Sequence, residues 1–434
     1  MNQIVKFNLK NLISILFIFI ISLNYVFKEK YLFPFSLNSL FHYISFLVFI
    51  SIIITKSKKI ENFLIFIFSF YISLLLLNFF IKILFYNNDK FSFIKQYERE
   101  TGNKIRTSIF PKNFLDNNYQ IRPLSNLSYT NIVYCNEAGY WSTYKSDRYG
   151  FNNEDNVYNK RNKIILVGGS DVQGACVNQG EDIASKLREK NYNVIGLGMG
   201  GNDEILKYAT VKEYFRSINP EMIIWLFSYG DLQGLINELN SKELLRYFND
   251  PGFSQNLAIN NKDKDSFLDQ YISEIENKIY MEKRFGYITL YDLRRKIKEI
   301  LIQKFRISFD KKVIIDSDIK KNTLKTRYDK IYLDKNFNLV EKNFHNLKKI
   351  CNQNCKILFV FTPSHKDFIK NKYSIKNRLN FFKILKKLDI EVLDLTDDIN
   401  SLDIDKFMIG HFNKEGYQFI SDKIADRLEN YNLR

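Results

Sequence analysis

The sequence predicts an α/β protein, in which apolar N-terminal helices precede a doubly wound domain with a mainly parallel sheet. Three observations carry this reading. Three long apolar runs lie before residue 87, strand-like and helix-like segments alternate from Lys163 onward, and the loops holding Ser170, Gly198 and Tyr229 all leave the carboxyl ends of the strand-like segments. A doubly wound sheet binds its ligand just beyond those ends.

The apolar runs cover 11–27, 36–55 and 62–83. A bilayer core takes about 20 apolar residues per helix, and a soluble helix of this length shows a polar face that these runs lack. No small-x-small cleavage site follows the first run, so it reads as a helix rather than a removable leader. His42, in the second run, reads as a neutral histidine near a helix end. Lys6, Lys10 and the terminal amine, together with the purely basic "KSKK" at 56–59, outweigh the mixed "KEK" at 28–30. Basic loops stay in the cytoplasm, so three crossings place everything after about Asn87 on the far side. The expected division is a membrane region at 1–87, a lead-in segment at 88–160, and an α/β domain at 161–434 with a basic insertion at about 251–340. The lipid bilayer is then the first expected partner.

The formal charge is +16 and 16% of the residues are aromatic. Lys, Asn, Ile and Phe are abundant and Pro is scarce, a bias that reads as an AT-rich genome. Between Lys283 and Lys330 there are 15 Lys or Arg against 6 Asp or Glu, a net of +9. Such a run binds nucleic acid in some proteins, but the expected location excludes that partner. It leaves a solvated face, or attraction to anionic lipid or acidic polysaccharide.

From Lys163 the elements follow in order. "KIILVG" (163–168) is apolar throughout, as for a strand buried on both faces. "EDIASKLREK" (181–190) reads as a helix, "NVIGLG" (193–198) as a strand, "DEILKYATVKEYFRSI" (203–218) as a helix and "EMIIWLFS" (221–228) as a strand. The pattern continues with a helix at 231–248. After the insertion it resumes with strands at 356–362 and 390–395 and helices at 381–388 and 414–428.

Four cysteines, Cys135, Cys176, Cys351 and Cys355, suit an oxidising compartment. "CNQNC" (351–355) has only His345 nearby, too few ligands for zinc, and no metal or cofactor is expected. Pairing Cys135 with Cys176 would staple the loop after Ser170; two unrelated buried thiols are the alternative.

"KIILVGGSDVQG" (163–174) raises the question of what Ser170 does. No lysine follows Gly174, which excludes a Walker loop. "GLGMGG" (196–201) fits a dinucleotide fingerprint, yet it follows the second strand and no acid closes the next one. A serine at a tight strand-to-helix turn is instead placed as a nucleophile is, exposed above the sheet edge. Its base would be a histidine. His345 lies in a helical stretch, His365 follows a strand, and His411 precedes the last helix, which Asn413 can cap.

These residues resemble the SGNH (GDSL-type) hydrolases, and in particular membrane-anchored bacterial members. "GGSDVQG" is similar to their first block, "VIGLGMGG" to the second, "IIWLFSYGDL" to the third and "GHFNKEGY" to the fifth; "YKSDRYGFNN" (144–153) resembles the segment leading into the first. The resemblance implies a flavodoxin-like three-layer α/β/α fold. It implies Ser170 as nucleophile, His411 as general base, and the backbone amides of Ser170 and Gly198 as oxyanion donors. Three positions depart from the pattern: Gly169 replaces an aspartate, Gly230 an oxyanion asparagine, and Met408 the acid. Asp403 and Asp405 lie nearby and could orient His411. The implied function is a serine esterase or acyl transferase, multi-pass in the bacterial inner (cytoplasmic) membrane with its C-terminal domain extracytoplasmic. Its substrates would be acylated cell-envelope glycans or lipids. The alternative is a catalytically degenerate domain that binds envelope polysaccharide.

Overall fold

The apolar segments read as buried strands form one sheet in the computed structural model. It describes residues 58–85, 89–115, 119–228, 231, 238–284, 290–298, 300, 338–351, 355–363, 372–403, 406–431 and 433. The expected spans at 11–27 and 36–55 and most of the basic stretch lie outside these residues. The chain divides into two compact units, Met1–Asn88 with Asn277–Lys312, and Asp89–Glu276 with Val313–Arg434.

In the first unit α1 runs over Lys58–Phe85 and takes up the third apolar run. Phe66, Phe70, Leu76, Phe80 and Leu84 are exposed on it, while Asn78 is buried and accepts the Leu293 N–H. Among the described residues no single helix is long and apolar enough to cross a membrane.

The second unit opens with α2 (Lys90–Thr101). Its first N–H groups are accepted by the Asp89 carboxylate, and Gly102 ends it in the left-handed conformation, as helix ends favour. A small sheet follows, with β1 (Ile105–Thr107) parallel to β2 (Asn131–Val133) and β3 (Thr143–Lys145) antiparallel to it. Next come β4 (Ile164–Gly168), α3 (Ser170–Gln173), α4 (Ile183–Glu189), β5 (Val194–Gly198), α5 (Glu204–Ile218) and β6 (Met222–Ser228). Helices α6 (Lys242–Asn249), α7 (Asn261–Arg284) and α8 (338–351) precede β7 (Lys356–Thr362). The chain ends with α9 (Lys372–Lys387), β8 (Glu391–Asp394), α10 (Thr396–Asn400), the short strands β9 (Met408–Ile409) and β10 (His411–Phe412), and α11 (Lys414–Leu428).

The main sheet has the order β5-β4-β6-β7-β8 and every pairing in it is parallel. Numbered within the sheet this is 2-1-3-4-5, which reverses direction beside β4. Alternate strand residues feed opposite cores, as the two-residue period of a strand requires. Ile165, Val167, Ile223, Trp225, Phe227, Phe359 and Phe361 pack with α5, α8 and α9 on one side. On the other, Ile164, Leu166, Met222, Ile224, Leu358 and Val360 pack with α4 and α11. The result is three layers, with the carboxyl ends of β4 and β6 side by side at the reversal.

β5 is an edge strand, and its backbone needs a partner on the open side. Asn153 provides one: its Oδ1 accepts the Gly196 N–H at 2.8 Å and its Nδ2 donates to the Gly196 carbonyl at 2.9 Å. Asn153 is held by Asp147, whose Oδ2 accepts from its Nδ2 at 2.7 Å and from the Tyr158 hydroxyl at 2.6 Å. Asp147 Oδ1 takes the N–H groups of Tyr149, Gly150 and Phe151. This is what "YKSDRYGFNN" does physically: it docks the lead-in segment along the sheet edge.

Asp147→Ala leaves five donors without that acceptor. It is expected to destabilise the unit by about 3 to 5 kcal/mol, read as a Tm lower by roughly 10 °C in a circular dichroism melt. Asp147→Asn, which keeps the shape, should fall between the two.

Candidate active site

Ser170 is the first residue of α3, immediately beyond β4, with Gly169 at the cap. The turn is tight, and glycines make it so. A Cβ on Gly168 would lie 2.3 Å from Val172 Cγ2, and one on Gly198 would lie 2.4 Å from the Gln173 nitrogen. Gly198 therefore ends β5 directly beneath α3. A Cβ on Gly169 would come within 3.2 Å of the Asn202 carbonyl, which leaves little room for the aspartate of the resembled pattern. Gln173 locks the two loops and the lead-in segment together. Its Oε1 accepts the Gly200 N–H at 2.6 Å, and its Nε2 donates to Ser108 Oγ and the Tyr144 hydroxyl, both at 2.9 Å.

His411 reaches Ser170 from the far end of the chain. Asn413 caps α11 by accepting the Gly416 N–H and donates through Nδ2 to the Lys406 carbonyl, which fixes the short β9–β10 pairing. The result is a contact of 3.1 Å between His411 Nε2 and Ser170 Oγ. On the other side of the ring, Nδ1 lies 2.9 Å from Glu137 Oε2, and the His411 backbone N–H donates to the same oxygen at 3.1 Å. A carboxylate only accepts, so Nδ1 carries the proton and Nε2 presents its lone pair to the Ser170 hydroxyl. The tautomer is set for proton removal.

Glu137 was not among the candidates read from the sequence. Asp403, one of the two acids expected to orient His411, instead pairs with Lys406 at 3.7 Å, while Glu137 takes both His411 donors; Asp405 lies outside the described residues. So do Tyr229, Gly230, His42 and His365, and His345 is exposed on α8. The acid thus comes from the lead-in segment, 274 residues from the histidine. One signal in the sequence points to it. Glu137 follows Cys135 in "YCNEAGYW", and Cys135 is disulfide-bonded to Cys176, just past Ser170. A bridge of this span, 41 residues, contributes about 4 kcal/mol in the chain-entropy model. Cys351 and Cys355 form a second disulfide.

Behind the serine turn lies a group of acids around one cation. Lys207 is fully buried and donates to Glu204 Oε1, the Leu226 carbonyl and Asp231 Oδ2. Burial raises the Asp171 carboxyl above its ordinary range, with Asp231 adding to the rise while His411 and Lys207 oppose it. Asp203 is pushed up to about 7, by burial first and then by Asp231.

Gly410 makes the Glu137 contact sterically feasible. Its φ is +92°, and a Cβ there would sit 2.4 Å from Glu137 Oε2. Gly410→Ala should displace the carboxylate and slow labelling of Ser170 by a fluorophosphonate on the order of 10²-fold. Gly180→Ala meets comparable backbone strain at φ +94° with nothing within 4 Å, and should leave the labelling rate unchanged.

No family model and no curated protein matches the chain. Solved structures similar to it include an acetyl xylan esterase, at 14% identity over 61% of this chain and 99% of that one with a TM-score of 0.32. Another is a member of the lipolytic protein G-D-S-L family from Veillonella parvula DSM 2008, at 10% identity over 61% of this chain and 96% of that one, with a TM-score of 0.30.

Proposed function

We propose that the second unit is a serine esterase or acyl transferase of SGNH type. The observation that supports this reading above all is the unbroken chain from Ser170 Oγ through His411 to Glu137, with contacts of 3.1 and 2.9 Å. Ser170 attacks an acyl carbonyl while His411 Nε2 takes its proton. Glu137 keeps the Nδ1 proton in place and balances the imidazolium. The backbone amides of Ser170 and Gly198 are the oxyanion donors in this reading, because Gly230 has no side chain to donate. His411 then returns the proton to the leaving alcohol. A water in the second step makes the protein a hydrolase, and a sugar or lipid hydroxyl makes it a transferase.

A fluorophosphonate probe should label Ser170 and no other serine. Ser170→Ala abolishes labelling and His411→Ala reduces it to background. Glu137→Gln, which cannot accept as a carboxylate does, lowers kcat on a small aryl ester by about 10⁴-fold. A folded protein that never labels and never turns over the ester would favour the binding domain for envelope polysaccharide.

The membrane part of the proposal is an inner-membrane protein, multi-pass, with this unit on the extracytoplasmic side and acting on acylated cell-envelope glycans or lipids. It is supported by the three apolar runs and the basic loop at 56–59. In intact cells Lys58→Cys should resist a membrane-impermeant thiol reagent, while Ile259→Cys, at a residue 79% exposed, should react. The reverse pattern overturns the orientation.

A further inference from the structure

Glu137 belongs to a short closed turn. Gly139 N–H donates to the Asn136 carbonyl at 3.0 Å, and Ser142 N–H donates to the Cys135 carbonyl at 2.7 Å. Among the described residues, two contacts of this turn with the segment that carries Ser170 stand out. They are the Cys135–Cys176 disulfide and a hydrogen bond from the Tyr140 hydroxyl to the Cys176 carbonyl at 3.2 Å. The third tie is to His411, and the Glu137 side chain in it is 43% exposed. An ion pair that open to water is too weak to order a turn by itself. The base of the turn is held by β2–β3 pairing and by bonds from β3 to Asn178 and Gln179, and the covalent bond is the strongest tie beyond that base.

The bridge also sits against the catalytic pair. Cys176 Sγ lies 3.9 Å from His411 Nδ1, the nitrogen that Glu137 engages. Cys176 holds φ +64°, a left-handed conformation that a residue with a side chain keeps only when its surroundings demand it. The bridge thus joins two segments that supply two different members of the site, the acid two residues after one cysteine and the nucleophile six residues before the other.

We propose that Cys135 and Cys176 are positioning residues for Glu137, and that their disulfide makes proton transfer at His411 dependent on oxidation. Reduction by a dithiol delivers two electrons and two protons. The S–S bond is replaced by two thiols and the reductant closes its own disulfide. The 135–142 turn is then released, and His411 loses its acid while Ser170 and the sheet stay in place. This rests on the esterase reading of the site.

The test uses the oxidised full-length protein in detergent, titrated with dithiothreitol, with each cysteine pair followed by alkylation and mass spectrometry. Turnover of a small aryl ester should fall on the order of 10²-fold in kcat with KM nearly unchanged. The loss should track reduction of Cys135–Cys176 rather than Cys351–Cys355 and recover on reoxidation. In Glu137→Gln the same reduction should cause no further loss, because two changes acting through one contact do not add. An equal further loss in Glu137→Gln means that reduction only loosens the unit, and overturns the proposal. A second readout needs no turnover. The His411 Nδ1 proton, shifted downfield in the NMR spectrum by its short contact with Glu137, should be present in the oxidised protein and vanish on reduction. If the protein hydrolyses nothing but the proton behaves so, the positioning role stands and the esterase reading falls. If the proton survives reduction, the positioning role falls whatever the activity.

Discussion

Asp147 carries a carboxylate that is 1% exposed and accepts five hydrogen bonds, three of them from consecutive backbone N–H groups. Burial raises its pKa, and those bonds pull the other way. A buried acid is costly unless it is satisfied this fully. Through Asn153 the same carboxylate clamps the lead-in segment to the open edge of β5. The clamp works beside the bonds from Gln173 to Ser108 and Tyr144 and those from β3 to Asn178 and Gln179, which hold the small β1–β3 sheet near the serine turn. The candidate site therefore has two independent anchors, one at the end of β4 and one along the edge of β5.

The first anchor follows from how the sheet is built. Strand order reverses between β4 and β6, so the helices α4 and α6 that follow these two strands lie on opposite faces of the sheet and a crevice opens at the switch point. Ser170 stands at the start of that crevice. Glu238 fixes its floor by accepting the N–H groups of Asp203, Ile205 and Leu206 at the start of α5. Lys207 fixes the neighbouring turn by joining Glu204 to Asp231, which also accepts the Ser228 N–H. Buried ion clusters of this kind add little net stability against an apolar alternative. What they do here is fix the start of α5 and the turn after β6.

The second anchor makes the acid separable from the base. In a triad whose acid lies a few residues from its histidine, one loop sets both. Here Met408 stands in that position, and the carboxylate arrives from a different layer of the fold. Glu137 binds both the Nδ1 proton and the backbone N–H of His411, which aligns the ring more firmly than one contact would. The approach is tight enough to require a glycine at 410.

The sequence by itself determined the sheet. Parallel strands buried on both faces read as unbroken apolar runs, and β4, β5, β6 and β7 are such runs. It also pointed to Ser170 and His411, because a serine at a strand-to-helix turn and a histidine before a capped helix are local patterns. Helix α9 begins at Lys372, well before the expected 381, because its first two turns carry little apolar periodicity. The strands of the small sheet are three residues each, too short for alternation to register. Only the tertiary structure decided that Glu137 is the carboxylate placed at His411 and that Cys135 takes Cys176. No local pattern marks a carboxylate that meets its histidine from 274 residues away, and cysteine spacing leaves partner choice open until the lead-in segment is docked on β5. Asp403 and Asp405, a few residues before His411, were the natural expectation for that reason. Proximity along the chain is a local quantity, whereas the position of a carboxylate at an imidazole is set by which surfaces the fold brings together.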